Sequence, residues 1–179
     1  MRGRSRHQGY SLYELIMTLS LISLVLTLGI PSFGAIVANH RVRSDVDAMF
    51  HAIHVARKSS ITRKQVVTLC PSQDQLTCDE STDWSAGWIM FSNKSRHQSD
   101  VRDESEPLLR RHRPHPGNRI TANRRYFSLR STELRATNGT LVFCDKTGRA
   151  KPRALVVSYT GRPRVAYADR QGRPYACPD

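Results

Sequence analysis

Apolar residues fill the chain from Leu15 to Val37 almost without a break, and no charge follows Glu14 until His40-Arg41. A run of that length matches the ~20 residues that cross a bilayer as a helix. Gly29, Pro31 and Gly34 interrupt it. A proline inside a helix removes a backbone donor and crowds the preceding turn, so a kink or local melting is expected there. After Asn39 the pattern changes: Val42, Val46, Met49, Phe50, Ile53 and Ala56 recur every three to four residues, while Arg41, Arg43, Arg57, Lys58 and Arg63 take the other faces. That is an amphipathic stripe facing a core. One helix from Tyr10 to about Thr62 follows, membrane-like in its first half and packed on a domain in its second.

Beyond Arg63 the period shifts towards two. Segments 65–70, 87–92, 125–129, 140–144 and 154–159 are short and rich in valine, isoleucine, leucine and aromatics, which predicts strands. Turn signals separate them, and Asn138-Gly139 is the best hairpin candidate. The stretch from Lys94 to Arg119 is charged and poorly periodic, so it reads as an exposed loop with one edge strand around Pro107 to Arg110. The expected fold class is α+β: a long N-terminal helix against antiparallel sheet.

Composition adds a partner class. The formal net charge is +13, and arginine outnumbers lysine. Such an excess points to nucleic acid, an anionic membrane surface or an acidic partner without choosing among them. Four cysteines, Cys70, Cys78, Cys144 and Cys177, read as two disulfides in an exported domain. Three connectivities are possible; the preferred one closes a short loop with Cys70–Cys78 and ties the tail back with Cys144–Cys177. The spacing does not suit a structural zinc site. His51 and His54 stand three apart but lack a placed third ligand. Enzyme signatures are missing, and Asp45, Asp47 and Glu133 form no obvious acid/base pair, so neither an enzymatic role nor a cofactor or metal is expected.

The junction ahead of the apolar run is the most specific signal. A basic head (Arg2, Arg4, Arg6, His7) stops at Gly9-Tyr10-Ser11-Leu12-Tyr13-Glu14, where a lone carboxylate enters a membrane-length segment. Such a carboxylate needs a partner and marks function. A secretory signal would place its cleavage site behind the apolar core; here the glycine precedes it. This junction resembles the class III leader of type IV pilins and type II secretion pseudopilins. The resemblance implies a prepilin peptidase that cuts after Gly9 and methylates Tyr10, where that family usually has phenylalanine. It also implies that Glu14 neutralises a neighbouring subunit's amine during assembly. The chain then divides into a leader (1–9), a transmembrane and filament-core helix (10–38) and a pilin head (39–179). Removal of the leader's three arginines leaves a net charge of +10. Within the pilin-like proteins the head resembles the GspH/FimT family, on Cys70-Pro71, Asp83-Trp84-Ser85-Ala86-Gly87-Trp88, Phe143-Cys144-Asp145, the strand from Ala154 to Ser158 and Gly161-Arg162-Pro163-Arg164.

That last element is the sharpest candidate for chemistry. Pro163 fixes its own φ and pushes Arg162 towards an extended conformation. Residues two apart in an extended segment face one side, so Arg162 and Arg164 project as a pair suited to adjacent phosphates. Gly161 lets a backbone approach closely. Lys146, Arg149, Lys151, Arg153, Arg170 and Arg173 surround it in sequence, against Asp145, Asp169 and Asp179, and Tyr159, Tyr167 and Tyr175 could stack bases. On the residues alone, a solvated basic tail explains the pattern equally well. The resemblance to FimT-type minor pilins, whose tails are associated with DNA capture, favours sequence-independent DNA binding in natural transformation. The region from Arg110 to Arg125 is better read as a solvated loop, and Trp84 and Trp88 as core. The resemblance implies other pilin subunits as partners, and the inner membrane of a Gram-negative bacterium, then the pilus surface or periplasm, as the location. The alternatives are a structural minor pilin that primes assembly and a pseudopilin that binds no DNA.

Overall fold

Ser11 starts the helix. In the computed structural model, which describes residues 9–94, 101–130 and 136–177 and omits the side chains of 28–32, its hydroxyl accepts from the Glu14 N–H at 3.3 Å. The Glu14 carboxylate in turn accepts from the Ser11 N–H at 3.5 Å. This capping box satisfies two of the donors that a helix start leaves open. The basic head at residues 1–8, and Asp100, Glu133 and Asp179, lie outside the described residues. Helix α1 runs from Leu12 to Arg63 and ends at Lys64 in the left-handed conformation, φ 53°.

The expected local melting does not occur: α1 continues through Gly29, Pro31 and Gly34. Proline costs the helix one bond, and the turns on both sides carry it on. The first half of α1 is exposed and apolar, Leu19 and Leu24 being 57% and 60% accessible. Among the described residues, no helix is long and apolar enough to cross a membrane. In the second half Ala38, Val42, Val46, Met49, Ala52, Ile53 and Ala56 form a buried stripe. Phe50 stays half-buried, with the His51 and His54 rings edge-on against it at 5.9 and 4.6 Å.

Eight strands follow: β1 (Val66–Pro71), β2 (Trp88–Asn93), β3 (Leu108–His112), β4 (Asn118–Ala122), β5 (Phe127–Leu129), β6 (Gly139–Asp145), β7 (Arg153–Val157) and β8 (Pro163–Ala166). They form two antiparallel sheets, ordered β3-β2-β1-β5 and β4-β6-β7-β8. The α+β class holds, with the sheet split in two. One core unites α1 with both sheets through Leu69, Trp84, Trp88, Phe127, Leu141, Phe143, Leu155 and Val157. Trp84 and Trp88 are fully buried. The outer face of the first sheet is covered separately by Cys70, Ile89 and Phe91 with Cys78, Leu108 and Tyr126.

Cys70 is bonded to Cys78, and Cys144 to Cys177. Asn138-Gly139, by contrast, is not a hairpin turn. Gly139 opens β6 and pairs with Val157, while β5 belongs to the other sheet. Its glycine serves packing: a Cβ there would lie 2.6 Å from Asn123 Oδ1 and 2.8 Å from Arg124 Cγ.

Candidate nucleic-acid interface

Antiparallel pairing fixes which way Arg164 points. Strand β8 is the edge strand of the second sheet and pairs Val157 with Pro163, Val156 with Arg164 and Ala154 with Ala166. Leu155 and Val157 enter the core beneath α1, so alternate residues face away from the helix. Pro163 is buried on the core side, whereas Arg162 and Arg164 are exposed. Proline at the first position of an edge strand costs no ladder bond, because its missing N–H has no required partner there.

The turn that delivers Arg162 is tightly built. The Gly161 N–H donates to the Ser158 carbonyl at 2.9 Å, the Ser158 N–H to the Arg162 carbonyl at 3.1 Å, and the Arg162 N–H to Ser158 Oγ at 3.2 Å. Gly161 sits at φ +69° and is buried; a Cβ there would lie 2.7 Å from Leu129 Cδ1 and 3.5 Å from Arg57 Cδ. Its close approach is therefore made to Leu129 and to α1. This contact also brings in a cation that the sequence did not single out for the site. Arg57 stands beside the turn, and with His54, Val55, Lys58, Ile61 and Thr62 it lines an open groove of about 380 Å³ on α1. The helical period alone had placed Arg57 and Lys58 on the polar face of the helix, with nothing to say which loop they meet.

The tail joins this region. Cys144 lies on the same outward face as Arg164, so the Cys144–Cys177 bond ties Cys177 back to that face. Arg170 is exposed in the turn of that tail. Arg173 donates from Nε to Asp169 at 2.8 Å, and its charge is partly neutralised. Burial pushes the Asp169 carboxyl up, but the Arg173 backbone and side chain and the Gln171 N–H outweigh it and hold it below its usual range. Arg153 stacks over Tyr167 at 5.4 Å and donates to its hydroxyl, which commits that ring.

Lys146 and Arg149 are taken elsewhere. The Arg149 guanidinium lies against α1 at Gly34, with Nη1 2.9 Å from the place a Cβ would occupy. Gly34 and Arg57 are about 35 Å apart along the helix at 1.5 Å per residue. Lys146 Nζ donates to the Pro116 carbonyl at 2.7 Å. Lys151 is exposed in the same connection. Arg110 and Arg111 belong to β3, the edge of the first sheet, with Arg110 over Trp88 at 6.0 Å. Gly9, Tyr10 and Glu14 are exposed at the far end of the free helix. Among the described residues no three metal-ligating side chains converge.

The sequence profile of the family described as Type II transport protein GspH matches residues 45–161. The chain belongs to the GspH family. Two crystal forms of the type IV minor pilin FimU from Pseudomonas aeruginosa strain PAO1 superpose on this GspH-family chain. The P65 form has 15% identity and a TM-score of 0.50 over 69% of this chain and 91% of FimU. The P21 form has 14% identity and a TM-score of 0.52 over 71% and 89%. At that identity the likeness concerns the fold: a long helix packed on antiparallel sheet. No curated protein sequence matches the chain. The family match ends at Gly161, so Arg162, Arg164 and the pinned tail lie beyond the matched segment of this GspH member.

Proposed function

We propose that the protein is a minor type IV pilin that binds extracellular DNA, largely irrespective of sequence, for uptake in natural transformation. Prepilin peptidase removes residues 1–9, Glu14 serves assembly with other pilin subunits, and the apolar run from Leu15 to Val37 holds the chain in the inner membrane until it enters the filament. The observation that carries the DNA reading is that Arg162 and Arg164 are both exposed at the start of an edge strand, with Pro163 buried between them. Two guanidinium groups at that spacing suit successive phosphates, and such contacts release counterions. Arg57 stands beside the Gly161 turn and Arg170 is exposed in the tail, and both add positive charge near the pair.

The test is fluorescence anisotropy of the full chain in non-ionic detergent, with unrelated labelled duplexes across a salt series. Wild-type binding should weaken steeply with salt. Arg162→Ala with Arg164→Ala should flatten the slope of log K against log salt by about 1.8 for duplex and about 1.4 for single strands. An unchanged slope would sink the assignment of the arginines. A wild type that binds no DNA at low salt would leave the second reading, which the description of the matched family favours: a pseudopilin of type II transport. That reading predicts lost exoprotein release on deletion, with transformation intact.

A further inference from the structure

Two loops close around α1 where it leaves the head. Ala38 is the first buried residue of the helix among those described, and it shares the core with Ala150 of the β6–β7 connection. From that connection Arg149 reaches Gly34, as described above. The β3–β4 connection contributes Gly117, where a Cβ would lie 3.7 Å from Arg41 Nη1. Lys146 ties the loops together: its N–H donates to the Gly117 carbonyl at 2.8 Å and its ammonium to the Pro116 carbonyl. Arg41, Lys146 and Arg149 are all exposed, and His40 is exposed beside them.

Nearby acids do not cancel this charge. Asp45 is buried and accepts from the Asn118 amide at 2.6 Å and the His115 N–H at 3.1 Å. Asp145 is buried and accepts from the Thr147 hydroxyl and the Arg149 N–H. Asp47 is exposed but faces Arg43 at 3.7 Å. Among the described residues Arg41 and Lys146 make no ion pair, and Arg149 interacts with the already bonded Asp145.

The collar's position gives it a partner. Leu15 to Gly34 spans about 29 Å of helix, close to the ~30 Å hydrocarbon thickness of a bilayer. A helix that fills the bilayer with that segment therefore sets Arg41, Lys146 and Arg149 at the headgroup layer. We infer that these three side chains form a lipid-docking collar that holds the head against anionic phospholipid headgroups before the subunit is drawn into a filament. Arginine takes a phosphodiester with two parallel hydrogen bonds, and lysine supplies a point charge. This inference rests on the membrane stage of the proposed function and assigns Lys146 and Arg149 to lipid, apart from the DNA-facing arginines.

The experiment is amide hydrogen exchange on the full chain in nanodiscs, either of phosphatidylcholine alone or of a phosphatidylcholine–phosphatidylglycerol mixture. With the anionic lipid, exchange at residues 115–117 and 146–149 should slow about fivefold or more, the effect of at least one Lys or Arg held at an anionic surface. High salt should abolish the difference. Arg41→Gln with Lys146→Gln and Arg149→Gln should remove it, whereas Arg41→Lys with Arg149→Lys, and Arg162→Gln with Arg164→Gln, should retain it. Equal exchange in both lipids, or full protection in the triple glutamine variant, overturns the collar alone. Failure to insert into either nanodisc overturns the membrane stage, and the collar with it.

Discussion

Gly161→Ala separates the packing of the Gly-Arg-Pro-Arg element from its proposed contact with DNA. The substitution keeps both arginines but forces a side chain into φ +69°. The left-handed conformation costs an L-residue about 1–2 kcal/mol. The new methyl would stand 2.7 Å from Leu129 Cδ1 and 3.4 Å from Ala136 Cβ. Leu129 is fully buried, so its terminal carbon has little room to retreat, and overpacking of this kind adds about 1–3 kcal/mol. The expected loss is about 2–5 kcal/mol, which in a head of this size lowers Tm by roughly 3–5 °C for each kcal/mol. Scanning calorimetry of the full chain in detergent reads it directly. DNA affinity at a temperature where the variant is folded should fall less than in the double arginine variant, because the phosphate contacts remain. A Tm within a degree or two of wild type would refute the packing argument, and would return Gly161 to a direct role at the ligand.

Two other perturbations test the frame around the site. Asp45→Ala removes the acceptor for the Asn118 amide and the His115 N–H, and stranding two such donors should cost about 2–5 kcal/mol in urea unfolding; a loss below about 0.5 kcal/mol would show that water replaces the carboxylate there. Acid stability depends on Asp74 in the Cys70–Cys78 loop. The Thr77 hydroxyl and N–H, the Leu76 N–H and the Ser72 hydroxyl hold its carboxyl well below the usual carboxylate range. A carboxyl lowered on folding stabilises the protein above its unfolded pKa of about 3.9, and loses that contribution as pH falls through the folded value. The Tm difference between wild type and Asp74→Asn should be full at neutral pH and shrink as acid is added. A difference that does not change with pH would refute it.

The parts of the fold legible in the sequence are those where one physical signal dominates. Val42, Val46, Met49 and Ile53 repeat at helical spacing and are buried, and β1, β2 and β6 are runs of β-branched and aromatic residues. Strand β4 escaped because Asn118–Ala122 offers a single large apolar residue, Ile120. Strand β8 escaped because four residues opening on proline and arginine carry almost no strand signal. Asn138-Gly139 misled because the glycine answers a packing constraint from Asn123 and Arg124, and local propensity cannot register a contact made across the fold. The same limit governs the basic residues. Lys146 and Arg149 are near Arg162 in the chain, yet the β6–β7 connection carries them to the other end of the head's helix. Arg57 is distant in the chain, and the β7–β8 turn packs against it.

Those displacements bear on how a chain of net charge +13 can avoid being a single undifferentiated cation. At the C-terminal site the uncharged members of the motif do the folding. Gly161 and Pro163 are buried, and the Ser158 bonds lock the turn. Arg162 and Arg164 are thereby presented with their backbone already ordered, and a ligand does not have to meet that ordering cost on binding. At the collar the loops are locked in the same way, by Lys146 on Pro116 and by Asp145 on Thr147 and Arg149. Both clusters carry groups that suit phosphate, so chemistry alone would let either proposed ligand occupy either site. What separates them is about 35 Å of helix α1: one cluster lies where that helix leaves the head, and the other lies towards its far end.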